Sequence, residues 1–177
     1  MKVLLYVTVS RDGYIAGKYD DISRISPESQ TQRARLVNGV GNMIVGRRTY
    51  DTMCRAQRFD TLQDPFVTIM SKHNYPSQPN RHFTHAKPKN ILKLLDEKGR
   101  SSTVVAWWRQ VNKLFLEQWL VDYLILDQEP AQVGEWRTFS SMIPANTSLE
   151  LVNEHEYNSG HTQKTYIPNN DTSSHAG

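Results

Sequence analysis

A short run of basic and hydroxyl side chains follows a buried strand early in the chain. Apolar residues 42–45 predict the strand, and Gly46, Arg47, Arg48 and Thr49 come directly after it. A helix that begins here would place free backbone N–H groups and two guanidinium groups at the carboxyl end of the strand. Phosphate groups commonly dock at such corners. The sequence therefore predicts an anion site at this helix start, with a solvated basic surface as the alternative.

A strand, an abrupt turn, a helix and a second strand follow one another between residues 102 and 126. This order favours parallel strands with a right-handed crossover, and a nucleotide phosphate usually docks where the first strand meets the helix. The turn normally requires glycine, because the backbone bends sharply and must approach the ligand closely. Here it reads Ala106-Trp107-Trp108. The position suits a nucleotide, whereas the residue types do not.

Other kinds of side-chain chemistry find little support in the sequence. The six histidines show no ligand spacing on one helix, so no metal site is predicted. Cys54 is the single cysteine, which excludes an internal disulfide, and we expect it on the core face of a helix. No pattern supports a Ser-His-Asp arrangement either.

Periodicity and turn residues predict an alternating order of strands and helices. Strands are expected at 2–9, 42–45, 66–70, 82–84, 102–106, 121–126, 149–157 and 161–167. Helices are expected at 26–37, with Asn38-Gly39 as its end, and at 46–55, 88–98 and 111–119. The last two strands form a hairpin around Asn158-Ser159-Gly160. Residues 18–25 are expected to be a loop and residues 168–177 a disordered tail, which leaves one domain over residues 1–167.

Composition indicates a globular protein of this size. The chain has 177 residues, of which 38% are hydrophobic and 22% charged, and its formal net charge is +3. Scattered lysines and arginines fit an anionic small molecule and are weak grounds for nucleic acid binding. No apolar run approaches the roughly 18 residues that a membrane helix needs, and the N-terminus lacks the pattern of a signal peptide. We therefore expect a cytoplasmic protein with no membrane partner.

Four segments, in order, resemble the dihydrofolate reductase-like superfamily. They are SRDGYIAG at 10–17, MIVGRRTY at 43–50, LEQWLVD at 116–122, and VGEW at 133–136 followed by Phe139. Within that superfamily the chain is most similar to the reductase domain of riboflavin biosynthesis and its small stand-alone relatives. The resemblance covers roughly residues 2 to 167. It implies an α/β fold, with a mixed, mainly parallel sheet flanked by helices and a C-terminal antiparallel hairpin.

The resemblance also implies a cofactor, a class of substrate and a set of site residues. The expected activity is NADPH-dependent reduction of a pterin-like or pyrimidine-like heterocycle, and relatives tend to form homodimers. Ser71 and Lys72 match the pair that meets the adenosine 2′-phosphate, which favours NADPH over NADH; a solvated Lys72 is an equal alternative. The implied cofactor-binding residues are Ala16, Gly46, Arg47, Arg48, Thr49, Ser71, Lys72, Ala106, Trp107, Trp108 and Arg109.

Hydride transfer from a nicotinamide needs little from the protein beyond positioning and a proton source. Asp12 lies in the loop beside the expected nicotinamide. Glu28 lies near the place of the pterin-binding carboxylate of dihydrofolate reductases, although its spacing to Gly46 differs by about two residues from that pattern. We name both as catalytic candidates, with Asp20 and Asp21 as others. The alternatives are an ordinary Asp-Gly turn for Asp12 and a helix-stabilising charge for Glu28.

All four tryptophans stand where the family has glycine. The family has a glycine run at Trp107 and Trp108, and it usually has glycine at the positions of Trp119 and Trp136. One hypothesis is that these codons are UGA, rendered here as tryptophan but read as glycine in the source lineage. If the tryptophans are genuine, two indoles occupy the pyrophosphate turn and cofactor affinity falls steeply. The chain would then be a non-catalytic member of the fold, acting in binding or assembly.

Overall fold

The computed structural model describes residues 1–16, 25–106, 109–132 and 137–170. Its strands are β1 (Lys2–Val9), β2 (Tyr14–Ala16), β3 (Asn42–Gly46), β4 (Phe66–Met70), β5 (Arg81–Thr84), β6 (Ser102–Ala106), β7 (Tyr123–Gln128), β8 (Arg137–Thr138), β9 (Thr147–Glu156) and β10 (Thr162–Asn170). Its α-helices are α1 (Pro27–Val40), α2 (Arg47–Arg55), α3 (Pro88–Glu97) and α4 (Arg109–Glu117). Two 3-10 turns span Arg58–Thr61 and Phe139–Met142.

One eight-stranded sheet organises the described residues, in the order β5-β4-β3-β6-β1-β7-β10-β9. The first six of these strands run parallel to one another, and β10 is antiparallel to both β7 and β9. The mixed sheet with a C-terminal hairpin is therefore confirmed. The strands of the central unit, β6 and β7, are parallel as predicted, but β1 lies between them and pairs with both.

The central strand β1 is apolar from Val3 to Val7 and again at Val9, as expected for a strand whose two faces are both covered by helices. Leu5 belongs to one buried cluster, with Ile91 of α3 and Phe115 of α4. Tyr6 points to the opposite face and belongs to a second cluster, with Val37 of α1. The carboxyl ends of β1, β3, β4 and β6 consequently lie along one edge of a sheet that is buried on both sides.

Two element ends differ from the sequence-based expectation. Helix α1 does not end at Asn38-Gly39; it continues to Val40 and ends at Gly41, whose left-handed φ of 72° allows its N–H to donate to Val37 O at 2.8 Å. Val37 and Val40 pack against the core, so burial carries the helix past Gly39. Among the described residues, no helix is long and apolar enough to cross a membrane.

The last strands also begin and end at unexpected places. Strand β7 begins at Tyr123, because Asp122 is occupied in fastening the start of β1: its Oδ2 accepts from Val3 N at 2.7 Å and its own N–H donates to Val3 O. Strand β10 continues to Asn170, which lies opposite Thr147, so residues 168–170 belong to the sheet rather than to a tail. Residues 17–24, within the expected loop, and residues 171–177 lie outside the described parts of the chain.

Candidate functional site

A cleft of about 580 Å³ opens at the carboxyl ends of β3 and β4. Its walls come from four parts of the chain: the start of α2, the segment after β4, residues 84–86 at the end of β5, and the face of α4 that carries Gln110, Val111 and Leu114. Six residues expected at the cofactor phosphates lie around this one cavity: Gly46, Arg47, Arg48, Thr49, Ser71 and Lys72.

The start of α2 leaves hydrogen-bonding groups unused at the edge of the cleft. Gly46 is the N-cap residue and has no side chain to accept from the first backbone N–H groups. The first turn contains no acidic residue, so nothing offsets its positive end. Thr49 Oγ1 and Arg47 Nη1 are buried and have no hydrogen-bond partner among the described residues. Such orphaned polar atoms fit an acceptor-rich anion at this corner.

The two arginines of this turn have different environments. The Nε of Arg47 donates to Asp51 Oδ1 at 2.8 Å, and its guanidinium lies 4.0 Å from the ring centroid of Tyr75. The hydrogen bond with Asp51 raises the pKa of Arg47. Arg48 is exposed and forms no ion pair within the described parts of the chain. Arg47 is therefore held in place, whereas Arg48 is an exposed cation at the cleft without an ion-pair partner among the described residues.

Glycine at position 46 has a packing reason. A Cβ at Gly46 would lie 3.2 Å from Val111 Cγ2, closer than most real contacts of that kind. Its φ of −79° is open to any residue, so backbone conformation does not require glycine. The close approach of Val111 of α4 to the end of β3 instead disfavours any side chain at this position.

The segment after β4 supplies a second cation. Ser71 is mostly buried: its N–H donates to Thr84 O at 2.8 Å, and its Oγ accepts from His73 N at 3.1 Å. These bonds fix the turn that carries Lys72. Lys72 is exposed and has no ion-pair partner among the described residues. The cleft thus has an unpaired cation on each of two sides, at Arg48 and at Lys72.

The remaining residues expected at the cofactor are only partly described. Ala106 ends β6 and is fully buried in the core rather than lining the cleft. Arg109 is the first residue of α4, and Ala16 is the last residue of β2. Trp107 and Trp108 lie outside the described residues.

The two catalytic candidates do not line the cleft. Asp12 is exposed and accepts from Ser10 Oγ within a turn that Gly13 N–H closes on Ser10 O at 2.9 Å. Glu28 Oε1 accepts from Gln32 Nε2 at 2.7 Å, one turn along α1. Both contacts correspond to the alternative roles, a turn and a helix start. Asp20 and Asp21 lie outside the described residues.

A buried polar cluster beneath α1 was missed by the sequence analysis. Asp127 of β7 and His161, just before β10, are in direct buried contact through His161 Nε2. Ser29 Oγ lies 3.0 Å from the same nitrogen. Thr8 Oγ1 donates to Asp127 Oδ2 at 3.3 Å and accepts from Arg33 Nη2. The spacing of Ser29, Arg33 and the apolar Val37 on one face of α1 was the signal available in the sequence.

Ser29, His161 and Asp127 are the residue types of a hydrolytic triad, but their geometry is not that of one. A triad uses both ring nitrogens of histidine, one for the nucleophile and one for the carboxylate. Here Ser29 and Asp127 both contact Nε2, and Nδ1 has no partner among the described residues. Burial lowers the pKa of Arg33 to about 10 and raises the pKa of Tyr6, whose ring lies 5.3 Å from the Arg33 guanidinium carbon. The cluster is therefore structural, and it fixes α1 against β1 and β7.

The carboxyl ends of β1 and β7 carry a second, smaller cavity. It has a volume of about 370 Å³, and Arg11, Gln128 and Glu129 contribute to its lining. Glu129 Oε1 accepts from Ser26 N at 2.9 Å, and the Glu129 N–H donates to Val9 O at 2.7 Å. Glu129 thereby ties the start of α1 to the end of β1. This edge offers both signs of charge next to the strand ends.

Comparison with known proteins finds the fold but no close relative. No family model matches the sequence, and no curated protein matches it. A protein assigned to riboflavin biosynthesis in Shewanella sp. PV-4 matches with a TM-score of 0.73 and 18% identity, over 96% of this chain and 99% of the other. A pyrimidine reductase-like protein from Corynebacterium diphtheriae matches with a TM-score of 0.66 and 14% identity, over 96% and 92%.

A longer protein from Thermotoga maritima also matches. It is a diaminohydroxyphosphoribosylaminopyrimidine deaminase/5-amino-6-(5-phosphoribosylamino)uracil reductase, with a TM-score of 0.67 and 17% identity over 95% of this chain and 56% of the other. The chain described here therefore has the dihydrofolate reductase-like fold, as its sequence predicted. Within that fold, the structures that it resembles are those of riboflavin biosynthesis and pyrimidine reductase-like proteins.

Proposed function

We propose that this protein is an oxidoreductase that reduces a pyrimidine-like or pterin-like small molecule with NADPH. The observation that carries the proposal is the convergence of the α2 N-terminus, Arg48 and Lys72 on one cleft at the strand ends. Ligands of open α/β sheets bind outside the carboxyl ends of the strands, which is where this cleft lies. The structural neighbours support a reductase with a pyrimidine-like substrate over other functions of the same fold.

The residues around the cleft are suited to the phosphates of a dinucleotide. The free N–H groups at the start of α2 and the hydroxyl of Thr49 would hold one phosphate. Arg48 would neutralise the pyrophosphate, and Lys72 with Ser71 would meet the 2′-phosphate that distinguishes NADPH from NADH. When bound, NADPH supplies the hydride. The task of these residues is to hold the adenosine end, so that the nicotinamide extends toward the ends of β6 and β1.

The substrate is proposed to lie at the ends of β1 and β7. Arg11, Gln128 and Glu129 there offer donors and acceptors of the kind that a pyrimidine edge requires. Asp12 is three positions beyond Val9, the last residue of β1, and stays the candidate proton source, although its described contact with Ser10 is a turn contact. A competition binding experiment with a pyrimidine and a pterin would show which of the two rings the protein prefers.

The experiment that tests the proposal is a titration with NADPH and with NADH, followed by nucleotide fluorescence and by thermal unfolding. Lys72→Met should weaken NADPH binding about tenfold, the loss expected for one charge-assisted phosphate contact, and leave NADH binding unchanged. Lys89→Met is the matched control, because Lys89 is an exposed lysine on α3 that does not line the cleft. If Lys72→Met weakens the binding of both nucleotides equally, or of neither, Lys72 does not contact the 2′-phosphate.

The second candidate function is a non-catalytic protein of the same fold that acts in binding or assembly. The residues that favour it are Trp107 and Trp108, which stand in the expected pyrophosphate turn. Absence of NADPH binding at millimolar concentration would support this candidate. If the Trp107→Gly, Trp108→Gly double variant binds NADPH, the result would support the reductase proposal instead.

A further inference from the structure

The end of α4 has a backbone geometry that suits glycine, yet it carries tryptophan. The Trp119 N–H donates to Leu116 O at 3.0 Å, and the Leu120 N–H donates to Phe115 O at 3.1 Å. This pair of bonds defines a Schellman motif, in which the residue just past the helix adopts a left-handed conformation. Trp119 adopts it, with a φ of 55°. Glycine is the usual residue here because it has no Cβ to oppose that conformation.

Helix α3 ends with the same pair of bonds and has glycine at the equivalent place. The Gly99 N–H donates to Asp96 O at 2.8 Å, and the Arg100 N–H donates to Leu95 O at 3.0 Å. Gly99 has a φ of 73°. The chain therefore contains two helix ends of one design, with glycine in one and the bulkiest side chain in the other.

The other non-glycine residues with positive φ do not make tryptophan ordinary. Within the described residues they are Gln57, Asp64 and Asn80. Asparagine and aspartate enter the left-handed region several-fold more often than other residues, whereas a bulky residue there is an outlier. Gln57 follows α2 and shows that a helix end can carry a flexible side chain. Trp119 is the one aromatic residue among them.

The side chain of Trp119 belongs to neither of the two buried apolar clusters. The residue is 37% exposed, which places it among the exposed large hydrophobic residues of the described chain. Its ring makes no aromatic or cation–π contact with a described residue. The apolar contact that belongs to this motif is supplied by Leu120, which packs against the core cluster containing Phe115. The core at this helix end is therefore completed by Leu120 and not by the indole of Trp119.

We propose that residue 119 is glycine in the protein made by its native cell. Its codon would be UGA, which the source lineage reads as glycine and which is translated here as tryptophan. We extend the proposal to Trp107, Trp108 and Trp136, because these three also stand where the resembled family has glycine. The segment between β6 and α4 then reads Ala-Gly-Gly-Arg, a turn whose backbone can approach a phosphate closely. This last consequence rests on the proposed reductase function; the assignment at position 119 does not.

Peptide masses test the proposal directly. Cleavage with trypsin yields residues 101–109, which contain Trp107 and Trp108, and residues 114–137, which contain Trp119 and Trp136. In protein isolated from its native cells, each peptide should be lighter by two tryptophan-to-glycine differences, and the gene should carry UGA at all four positions. UGG codons, or peptides with the full tryptophan mass, would overturn the proposal.

Thermal unfolding gives a second test that needs no nucleotide. Trp119→Gly and Trp119→Ala both remove the indole, but only glycine relieves the backbone at position 119. We expect the glycine variant to melt about 2–4 °C above the alanine variant and above the parent protein. The matched control is Gly99→Ala, which should lower the melting temperature by a similar amount. A glycine variant that melts below the parent would show that the indole stabilises the protein, against the proposal, whether or not NADPH binds.

Discussion

The contact between Gly46 and Val111 predicts how the cleft responds to a single added methyl group. In Gly46→Ala the new Cβ would lie 3.2 Å from Val111 Cγ2, so α4 must move by a few tenths of an ångström. Overpacking of this kind costs about 1–3 kcal/mol. Alanine at a compatible φ also stabilises by about 0.4–1 kcal/mol, because it restricts the unfolded chain. The net destabilisation of Gly46→Ala should therefore be about 1 kcal/mol.

Val111→Ala should change the sign of that effect. Val111 is mostly buried, and its truncation alone should cost about 2 kcal/mol. With the Val111 methyl groups gone, Gly46→Ala has no clash and should stabilise by about 0.5 kcal/mol. The four proteins of this cycle, compared by urea unfolding, should give a coupling energy of about 1.5 kcal/mol. An equal cost of Gly46→Ala in both backgrounds would refute the packing explanation.

The same four proteins separate packing from ligand approach. If Val111 is the sole reason for glycine at position 46, NADPH affinity lost in Gly46→Ala should return in the double variant. If a phosphate approaches the Gly46 backbone closely, affinity should stay low in both backgrounds. NADPH titration by fluorescence, with Val111→Ala as the control for a widened cleft, distinguishes the two results.

Three further predictions concern polar side chains that contact the central strands. Arg33→Met should destabilise by about 1–3 kcal/mol in urea unfolding, because it removes the buried donor to Thr8 Oγ1; a cost below about 0.5 kcal/mol would contradict this. The pKa of Tyr6 is raised in the folded state, so above about pH 10 the unfolded protein loses the Tyr6 proton while the folded protein keeps it. The contribution of Tyr6 to the free energy of unfolding is therefore fully present below that pH and decreases above it. Above pH 10, the free energy of unfolding should therefore decrease with pH less steeply in Tyr6→Phe, by about 1.4 kcal/mol per pH unit. An unchanged slope would contradict a raised pKa of Tyr6. Asp122→Ala should cost about 1–3 kcal/mol by removing the acceptor of Val3 N–H, whereas Asp122→Asn, which keeps an oxygen, should cost less in the same measurement.

Sequence reasoning succeeded where local pattern and burial agree. Strand β1 was predicted to the residue because both of its faces are buried, which makes its apolar run continuous. Helix α2 was predicted because a glycine separates a buried strand from an amphipathic segment. The end of α1 was predicted wrongly, because Gly39 and Gly41 both offer a stop and only the packing of Val37 and Val40 decides between them.

The candidate site likewise contains some residues that the sequence predicted and others that it could not predict. Residues 46–49 and 71–72 were predicted to share a site, and the parallel strands β3 and β4 do bring them to one cleft. The pairing of Asp127 with His161 could not be predicted, because it depends on the register of β10 against β7. Asp12 and Glu28 were chosen by position in the chain. The contacts described above for them, with Ser10 and Gln32, are to residues nearby in the chain. The sequence alone cannot distinguish a residue with such a contact from a catalytic residue.

The most direct test of the central claim, that the cleft between α2 and the end of β4 holds the phosphates of NADPH, uses a fragment of the cofactor. Adenosine 2′,5′-bisphosphate carries the 2′-phosphate and lacks the nicotinamide half of the cofactor. AMP carries the same 5′-phosphate, so any effect of residues 107–108 on that phosphate is common to the two ligands. Calorimetric titration should show binding to the parent protein, about tenfold weaker binding to Lys72→Met, and weaker binding of AMP than of the bisphosphate. Equal affinities for AMP and the bisphosphate, or bisphosphate binding that Lys72→Met leaves unchanged, would contradict the claim.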